Sequence, residues 1–67
     1  MIELSINGTL QQLQKAATVA ELIGELELVD KRLAIECNGE IVPRSAYNVT
    51  RLSTGDRLEI VVAVGGG

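Results

Sequence analysis

The 67-residue sequence contains no histidine, tryptophan or phenylalanine, and it has one cysteine and one tyrosine. Without histidine, the chain cannot form the usual metal sites of histidine and cysteine ligands. It also lacks the side chain that most often acts as a general acid or base. A single cysteine excludes an internal disulfide framework and is typical of a reducing compartment. These absences argue against an enzyme that acts alone, and they favour a soluble interaction protein of the cytoplasm.

Positive charge and long apolar runs are also scarce. Six lysines and arginines against nine acidic residues give a net charge of −3, whereas nucleic acid requires a basic face. With Tyr47 as the one aromatic residue, there is no platform on which bases stack. No apolar run approaches the roughly 20 residues that cross a bilayer, and nothing resembles a signal peptide. We therefore expect neither nucleic acid nor a membrane as a partner.

The first part of the chain has the pattern of a β-hairpin. Residues 1–6 alternate between apolar and polar, which is the period of a half-buried strand. Asn7-Gly8 is typical of a type I′ turn, because both positions accept a positive φ. Residues 9–14 should return antiparallel to the first strand, although Leu10 and Leu13 are out of phase with each other.

A short amphipathic helix is predicted next. Thr18 and Glu21 have the spacing of a capping box, so the helix should begin directly after Thr18. Gly24 lies inside the pattern at a cost of about 1 kcal/mol relative to alanine, and one explanation is a close approach of the helix to the sheet. The helix should end near Glu27. Its apolar stripe consists of Val19, Leu22, Ile23 and Leu26.

Three further strands are predicted in the second half. Residues 33–37 alternate, Asn38-Gly39 is a second hairpin turn, and residues 40–42 form a short strand that ends at a proline. Residues 44–52 are irregular, with Tyr47 expected to contact the core, and the last strand begins at residue 57. This order predicts an α+β fold of the β-grasp (ubiquitin-like) type, a mixed sheet of about five strands covered on one face by a single helix. The first and last strands should be parallel neighbours. We expect one domain over residues 1–64 and a flexible glycine tail over residues 65–67.

The last strand offers more than a structural role. With one helix available, one face of the sheet stays uncovered, and Val61 and Ala63 should be exposed on that face beside the tail. An exposed apolar patch on a small domain often marks a partner site, although two small side chains can also lack any role. The opposite, inward face of the strand should carry Leu58, Ile60, Val62 and Val64.

The sequence ends in Gly65, Gly66 and Gly67. Three extended residues reach roughly 10 Å, which is far enough to carry a terminal carboxylate into a narrow slot of another protein. We interpret this carboxylate as the reactive group of the protein. The alternative is that the glycines are a frayed chain end without function.

Several segments together resemble the ThiS family, the ubiquitin-like sulfur carrier proteins of thiamine biosynthesis. The resemblance runs the full length of the chain, and its most specific parts are the Asn-Gly-x-x-Val-Pro-Arg block of residues 38–44 and the terminal diglycine. The other matching segments are Asn7-Gly8, residues 18–26, Leu52 with Gly55-Asp56, and residues 63–67. The chain departs from the family pattern at Tyr47, where tryptophan or another ring is common, and at Cys37, where valine is common.

The resemblance implies a reaction cycle at Gly67. A ThiF-like adenylating enzyme would consume ATP and magnesium to convert the Gly67 carboxylate to an acyl-adenylate. A cysteine desulfurase system or a persulfide relay would then supply sulfur, and thiazole synthase would receive it from the resulting thiocarboxylate. The carrier itself would bind no cofactor and no metal, and it would be a protein co-substrate. Gly65 and Gly66 would thread the tail into the partner, and Val61 and Ala63 would contact it.

Three other readings remain open at the level of sequence. They are a sulfur carrier of the molybdopterin pathway, a ubiquitin-like modifier conjugated to lysines, and a β-grasp binding module with an inert tail. Neither Cys37 nor the arginines are expected to carry the chemistry, because Cys37 falls in a core position and exposed arginines are mostly solvated. These arginines are Arg44, Arg51 and Arg57.

Overall fold

A computed structural model describes residues 1–63, which form five β-strands, one α-helix and one short 3₁₀ turn. The predicted inward position of Val64 and the predicted tail of residues 65–67 lie outside the described residues. The elements in chain order are β1 (Ile2–Ile6), β2 (Thr9–Leu13), α1 (Val19–Glu25), β3 (Leu33–Cys37), β4 (Glu40–Val42), the 3₁₀ turn (Arg44–Ala46) and β5 (Arg57–Val62).

The five strands form one mixed sheet in the order β2-β1-β5-β3-β4. Strands β1 and β5 are parallel, and the other neighbouring pairs are antiparallel. The last strand is therefore inserted between the two hairpins, as the β-grasp prediction requires. Its central place means that β5 is hydrogen-bonded along both edges.

The out-of-phase leucines of β2 have a simple explanation in the register. Leu10 is paired with Ser5, and its side chain is 66% exposed on the side of the sheet away from the helix. Leu13 is paired with Ile2 and is buried. The two leucines thus occupy opposite faces of the same strand, and the prediction of a strand here is confirmed.

Helix α1 begins as the sequence predicts. The Glu21 backbone N–H donates to Thr18 Oγ1 at 3.2 Å, and the Thr18 backbone N–H donates to Glu21 Oε1 at 3.1 Å, which completes the capping box. The predicted apolar stripe faces the sheet: Val19, Leu22 and Ile23 are buried, and Leu26 packs against them.

The end of α1 differs from the prediction in its detail. The helix ends at Glu25, and Glu27 adopts the left-handed conformation with φ 59°. The Leu28 N–H donates to the Ile23 carbonyl at 3.0 Å and the Glu27 N–H to the Gly24 carbonyl at 3.1 Å, which is the Schellman pattern with glutamate in place of the usual glycine.

The explanation offered for Gly24 from the sequence is wrong. A Cβ atom added at Gly24 would meet no heavy atom within 4 Å, and the residue is exposed. Gly24 therefore does not serve a close approach of helix and sheet, because its position faces away from the strands. Nothing in the structure explains the glycine there.

A single apolar layer lies between α1 and one face of the sheet. Leu4, Leu22, Ile35, Leu58 and Val19 are its most deeply buried large side chains, each less than 2% exposed. Tyr47 and Cys37 are partly buried and pack against this core. Among residues 1–63, no helix is long and apolar enough to cross a membrane.

Candidate functional site on the open sheet face and at the end of the last strand

We call the side of the sheet away from α1 the open face. Leu58 and Ile60 point to the core, so the alternating residues of β5 point to the open face. Val61 is 64% exposed there, and Ala63 directly after the strand is exposed as well. The exposure predicted for Val61 and Ala63 is confirmed.

The register places further side chains around Val61. Ala34 of β3 lies directly opposite Val61, and Glu36 lies opposite both Glu59 and Ile41. Ile41 is 75% exposed, so β4 also places an apolar side chain on the open face, in the same row as Glu36 and Glu59. Sequence reasoning did not assign Ile41 to this surface, although the strand 40–42 and its turn were both predicted. A hairpin register drawn from Asn38-Gly39 would have found it.

A shallow depression of about 270 Å³ lies on the same face and is polar. Glu36 and Glu59 are side by side across the two strands, and like charges in directly opposed positions disfavour strand pairing. Along β5, the residues on the open face thus change from the charged Arg57 and Glu59 near the beginning of the strand to the apolar Val61 near its end. The depression is lined by Glu36, Asn38, Gly39, Arg57 and Glu59.

The asparagine of the first hairpin turn holds β5 in place. Its side-chain oxygen accepts the Ile60 N–H at 2.8 Å, and its side-chain nitrogen donates to the Ile60 carbonyl at 3.0 Å. The Asn7 backbone N–H donates to the Leu58 carbonyl at 2.9 Å. The Asn7 amide therefore continues the parallel β1–β5 ladder beyond the end of β1, because it presents the same donor and acceptor as a peptide group.

The asparagine of the second hairpin turn has a similar role on the other edge. Asn38 Oδ1 accepts the Arg57 N–H at 2.9 Å, and the Asn38 backbone N–H donates to the Arg57 carbonyl at 2.7 Å. Its side-chain nitrogen also donates to Asp56 Oδ1 at 3.1 Å. Sequence reasoning interpreted both asparagines as turn formers and missed these contacts, because the partners are 53 and 19 residues away along the chain.

The last described residues are also fixed by neighbours. Val62 is paired with Leu33, and the Ala63 N–H donates to the Arg32 carbonyl at 2.9 Å. Gly65, Gly66 and Gly67, which were predicted to carry the reactive group, lie outside the described residues. In the sequence they follow β5, which is hydrogen-bonded to β1 along one edge and to β3 along the other.

Cys37 lies on β3 and is partly buried. Burial raises the pKa of its thiol above the ordinary value, and the carboxylates of Asp56 and Glu40 raise that pKa further. The thiolate is the reactive form of cysteine, so this environment disfavours a nucleophilic role. Among residues 1–63, no group of three or more histidine, cysteine or acidic side chains has the geometry to hold a metal ion. Arg44, Arg51 and Arg57 are exposed.

Comparison with known proteins adds to this geometry. The model of the ThiS family matches residues 4–67. The sulfur carrier protein ThiS of Bacillus subtilis is 34% identical over 65 residues, which are 96% of this chain and 98% of that protein. A crystal structure of the thiamine biosynthesis protein ThiS from Geobacter metallireducens superimposes with a TM-score of 0.82 at 30% identity. That comparison covers 98% of this chain and all of the Geobacter chain.

A longer relative matches as well. The thiazole synthase of Paramagnetospirillum magneticum is 42% identical over 66 residues, which are 98% of this chain. The matched part is 20% of that protein, so the chain spans about a fifth of the length of this relative.

Proposed function

The chain belongs to the ThiS family, and on that premise we propose that it is a sulfur carrier protein of thiamine biosynthesis. The observation that carries the proposal is the family match over residues 4–67, which includes the three final glycines. In this account the Gly67 carboxylate is the reactive group, and the folded domain presents it to partner proteins. The chain is a protein co-substrate and not an enzyme.

The proposed chemistry converts a poor electrophile into a sulfur donor. A carboxylate is ionised at neutral pH and has no good leaving group. An adenylating enzyme therefore uses ATP and magnesium to form the Gly67 acyl-adenylate, with release of pyrophosphate. The terminal sulfur of a persulfide attacks the acyl carbon, and AMP leaves as the carbon–oxygen bond breaks. A second thiol then reduces the acyl disulfide, which leaves the Gly67 thiocarboxylate and a new disulfide on the donor.

The described residues support the carrier role through position and exposure. Strand β5 is fixed by Asn7 and Asn38, so the residues after Ala63 start from a defined point. We propose that Val61 and Ala63 contact the partner, because they are the exposed apolar residues at the end of β5 and directly after it. Gly65 and Gly66 are assigned to threading, since a Cβ atom there would widen a peptide that must approach the ATP phosphates.

Three partners follow from this chemistry. They are a ThiF-like adenylating enzyme, a cysteine desulfurase system or persulfide relay, and thiazole synthase. The last is supported by the Paramagnetospirillum relative, a thiazole synthase of which about a fifth resembles this chain. ATP and magnesium are consumed in the adenylating partner, and the carrier holds no cofactor of its own. We place the cycle in the cytoplasm, where the single cysteine stays reduced.

The test is reconstituted thiazole formation with the adenylating enzyme, thiazole synthase, ATP, magnesium and a persulfide source. We expect product with the full chain and none with a chain that lacks Gly66 and Gly67. The substitution Gly66→Ala should leave the thermal unfolding midpoint unchanged and sharply reduce adenylation, which pyrophosphate release reports. Thiazole formation by the shortened chain would overturn the proposal.

A further inference from the structure

A cavity on the helix side of the molecule has a lining that is partly apolar and partly cationic. Its volume is about 320 Å³, which is near the lower end of the range for ligand sites. We call it the basic groove. Its walls come from α1, from the segment that leads into β3 and from the segment after β4; they include Ile23, Val29, Lys31, Leu33, Arg44 and Tyr47.

Backbone hydrogen bonds hold the walls of the basic groove in place. The Ala20 N–H donates to the Tyr47 carbonyl at 3.0 Å, which joins α1 to the segment after β4. The Ala63 N–H donates to the Arg32 carbonyl at 2.9 Å, which joins the segment before β3 to the end of β5. The groove is therefore formed in the free chain, and a ligand does not have to order its backbone on binding.

The charges of the basic groove favour an anion. Lys31 and Arg44 are exposed and belong to its lining, whereas none of the acidic residues in positions 1–63 does. In a chain of net charge −3, two cations in one cavity produce a locally positive potential. The nearest acidic residue in sequence, Asp30, is exposed in the turn between Val29 and Lys31 and does not line the groove.

Arg44 is the last residue of the Asn-Gly-x-x-Val-Pro-Arg block of residues 38–44. Three other members of this block have a structural role, because Asn38 holds β5, Val42 is buried and Pro43 precedes the 3₁₀ turn. The Arg44 side chain is instead exposed and lines the groove. A guanidinium can donate two parallel hydrogen bonds to one carboxylate, so the groove gives Arg44 a role in recognition.

The apolar part of the lining indicates what accompanies the anion. Val29 is 69% exposed although it lies in a turn, where polar residues are usual. Leu33 and Tyr47 are partly buried, so each also leaves apolar surface open. Tyrosine and arginine are enriched among the residues that dominate protein–protein binding, and the one aromatic residue of the chain lies with Arg44 in this groove.

We propose that the basic groove is a docking site for an acidic segment of a partner protein, in which an apolar side chain lies next to a glutamate or aspartate. The carboxylate pairs with Lys31 and Arg44, and the apolar side chain packs against Val29, Leu33 and Tyr47. A protein segment is favoured over a free small molecule, because the exposed wall leaves part of the ligand in water, whereas small-molecule sites bury most of their ligand. A protein makes further contacts outside the groove.

The basic groove and the open face lie on opposite sides of the sheet, because α1 lines the groove and the open face is turned away from α1. A protein docked in the groove therefore leaves Val61 accessible to a second partner. The groove binds its segment whether or not Gly67 carries sulfur, so this site is independent of the proposed chemistry.

The test is a titration of the ¹⁵N-labelled full chain with the blocked tripeptide acetyl-Leu-Glu-Leu-amide, whose single charge is the glutamate side chain. We expect saturable shifts of the amide resonances of Val29, Leu33 and Tyr47. The resonances of Ile41 and Glu59 on the open face should stay in place. The absence of saturable shifts in the groove overturns the proposal.

Three control ligands separate charge from apolar contact. Acetyl-Leu-Gln-Leu-amide lacks the charge and acetyl-Ala-Glu-Ala-amide lacks the large apolar side chains, so each should bind at least about tenfold more weakly. Equal affinity of either peptide and the acidic leucine peptide overturns the proposal. Inorganic phosphate is the third control, and groove shifts as large as those of the acidic leucine peptide would mean a site for simple anions, which also overturns it.

Charge variants of the labelled chain locate the site. The double substitution Lys31→Gln/Arg44→Gln should raise the Kd of the acidic leucine peptide at least about tenfold, because both charge-assisted contacts are lost. The matched double substitution Lys15→Gln/Arg57→Gln removes the same charge outside the groove and should leave the Kd unchanged. All four positions are exposed, so both variants should keep the thermal unfolding midpoint. An equal Kd for the two variants contradicts the proposal.

Discussion

At the scale of single residues, three residues other than glycine have a positive φ, Asn7, Glu27 and Asn38, and for Asn7 and Glu27 this conformation has opposite consequences. Asn7 has φ 52° and forms two hydrogen bonds to the Ile60 backbone through its side chain. Glu27 has φ 59° and an exposed side chain. A left-handed conformation costs a side chain about 1–2 kcal/mol. For Asn7 the hydrogen bonds offset this cost, whereas the Glu27 side chain forms no hydrogen bond with another of residues 1–63.

The same substitution at both positions separates the two effects. Asn7→Gly should lower the free energy of unfolding by about 1–3 kcal/mol, because the Ile60 N–H and carbonyl lose their partners. Glu27→Gly should raise it by up to about 1 kcal/mol, because glycine accepts the left-handed conformation. Urea unfolding monitored by circular dichroism gives both values. Equal changes of the same sign would refute the role assigned to the Asn7 side chain.

The thiol of Cys37 yields a prediction on pH. Its pKa is raised by burial first and then by Asp56 and Glu40, so the folded state favours the protonated thiol. The corresponding contribution to stability is present below the pKa of the unfolded chain and is lost as pH rises through the folded-state pKa.

Alkylation by iodoacetamide, followed by mass across a pH series, measures this directly. The rate for the folded chain should rise with a midpoint at higher pH than the rate for the urea-unfolded chain. A midpoint at lower pH would mean that the folded environment stabilises the thiolate, and Cys37 would then become a candidate for carrying sulfur.

At the scale of elements, the proposed function depends on β5, which is buried on one face and exposed on the other. Its exposed Val61 is paired with Ala34 and lies on the same face as Ile41. Val61→Glu should therefore raise the Kd for the adenylating enzyme more than tenfold. A tenfold change corresponds to about 1.4 kcal/mol of binding free energy. The fold should persist, since an exposed strand position changes stability by about 1 kcal/mol or less.

Val49 provides the matched control, because it is 75% exposed and lies outside the sheet. Isothermal titration of the adenylating enzyme with both glutamate variants is the measurement. Val49→Glu should bind like the unchanged chain. Equal affinities for all three chains would remove the open face from the partner interface.

The elements also show what the sequence allowed us to predict. Strand alternation, two Asn-Gly turns and a capping box each depend on residues close in sequence, and all of them were predictable. The side-chain contacts of Asn7 and Asn38 with β5 depend on the register between distant strands. The left-handed conformation of Glu27 after α1 was not predicted for another reason, because glutamate rarely occupies that conformation.

The candidate site was predictable to a different extent. Exposure of Val61 and Ala63 follows from alternation and from the presence of one helix, and the structure confirms it. The cavity of about 320 Å³ on the helix side was not predictable, because α1, residues 29–33 and residues 44–48, which line it, are separated along the chain and meet through packing. The roles of Gly65, Gly66 and Gly67 stay predictions.

At the scale of the whole molecule, residues 1–63 form one sheet packed against one helix. A single apolar layer and two asparagine contacts fix the last strand, and α1 covers only one face of the sheet. In the proposed function this fold presents Gly67 to partner proteins, and the partners supply the activation and the sulfur.

The most direct test of this assignment is the mass of the intact chain, with fragment ions, after incubation with the adenylating enzyme, ATP, magnesium and a persulfide source. We predict that one oxygen is replaced by sulfur and that every fragment carrying the change contains Gly67. A sulfur atom found on Cys37, or an unchanged mass while thiazole is formed, would contradict the account.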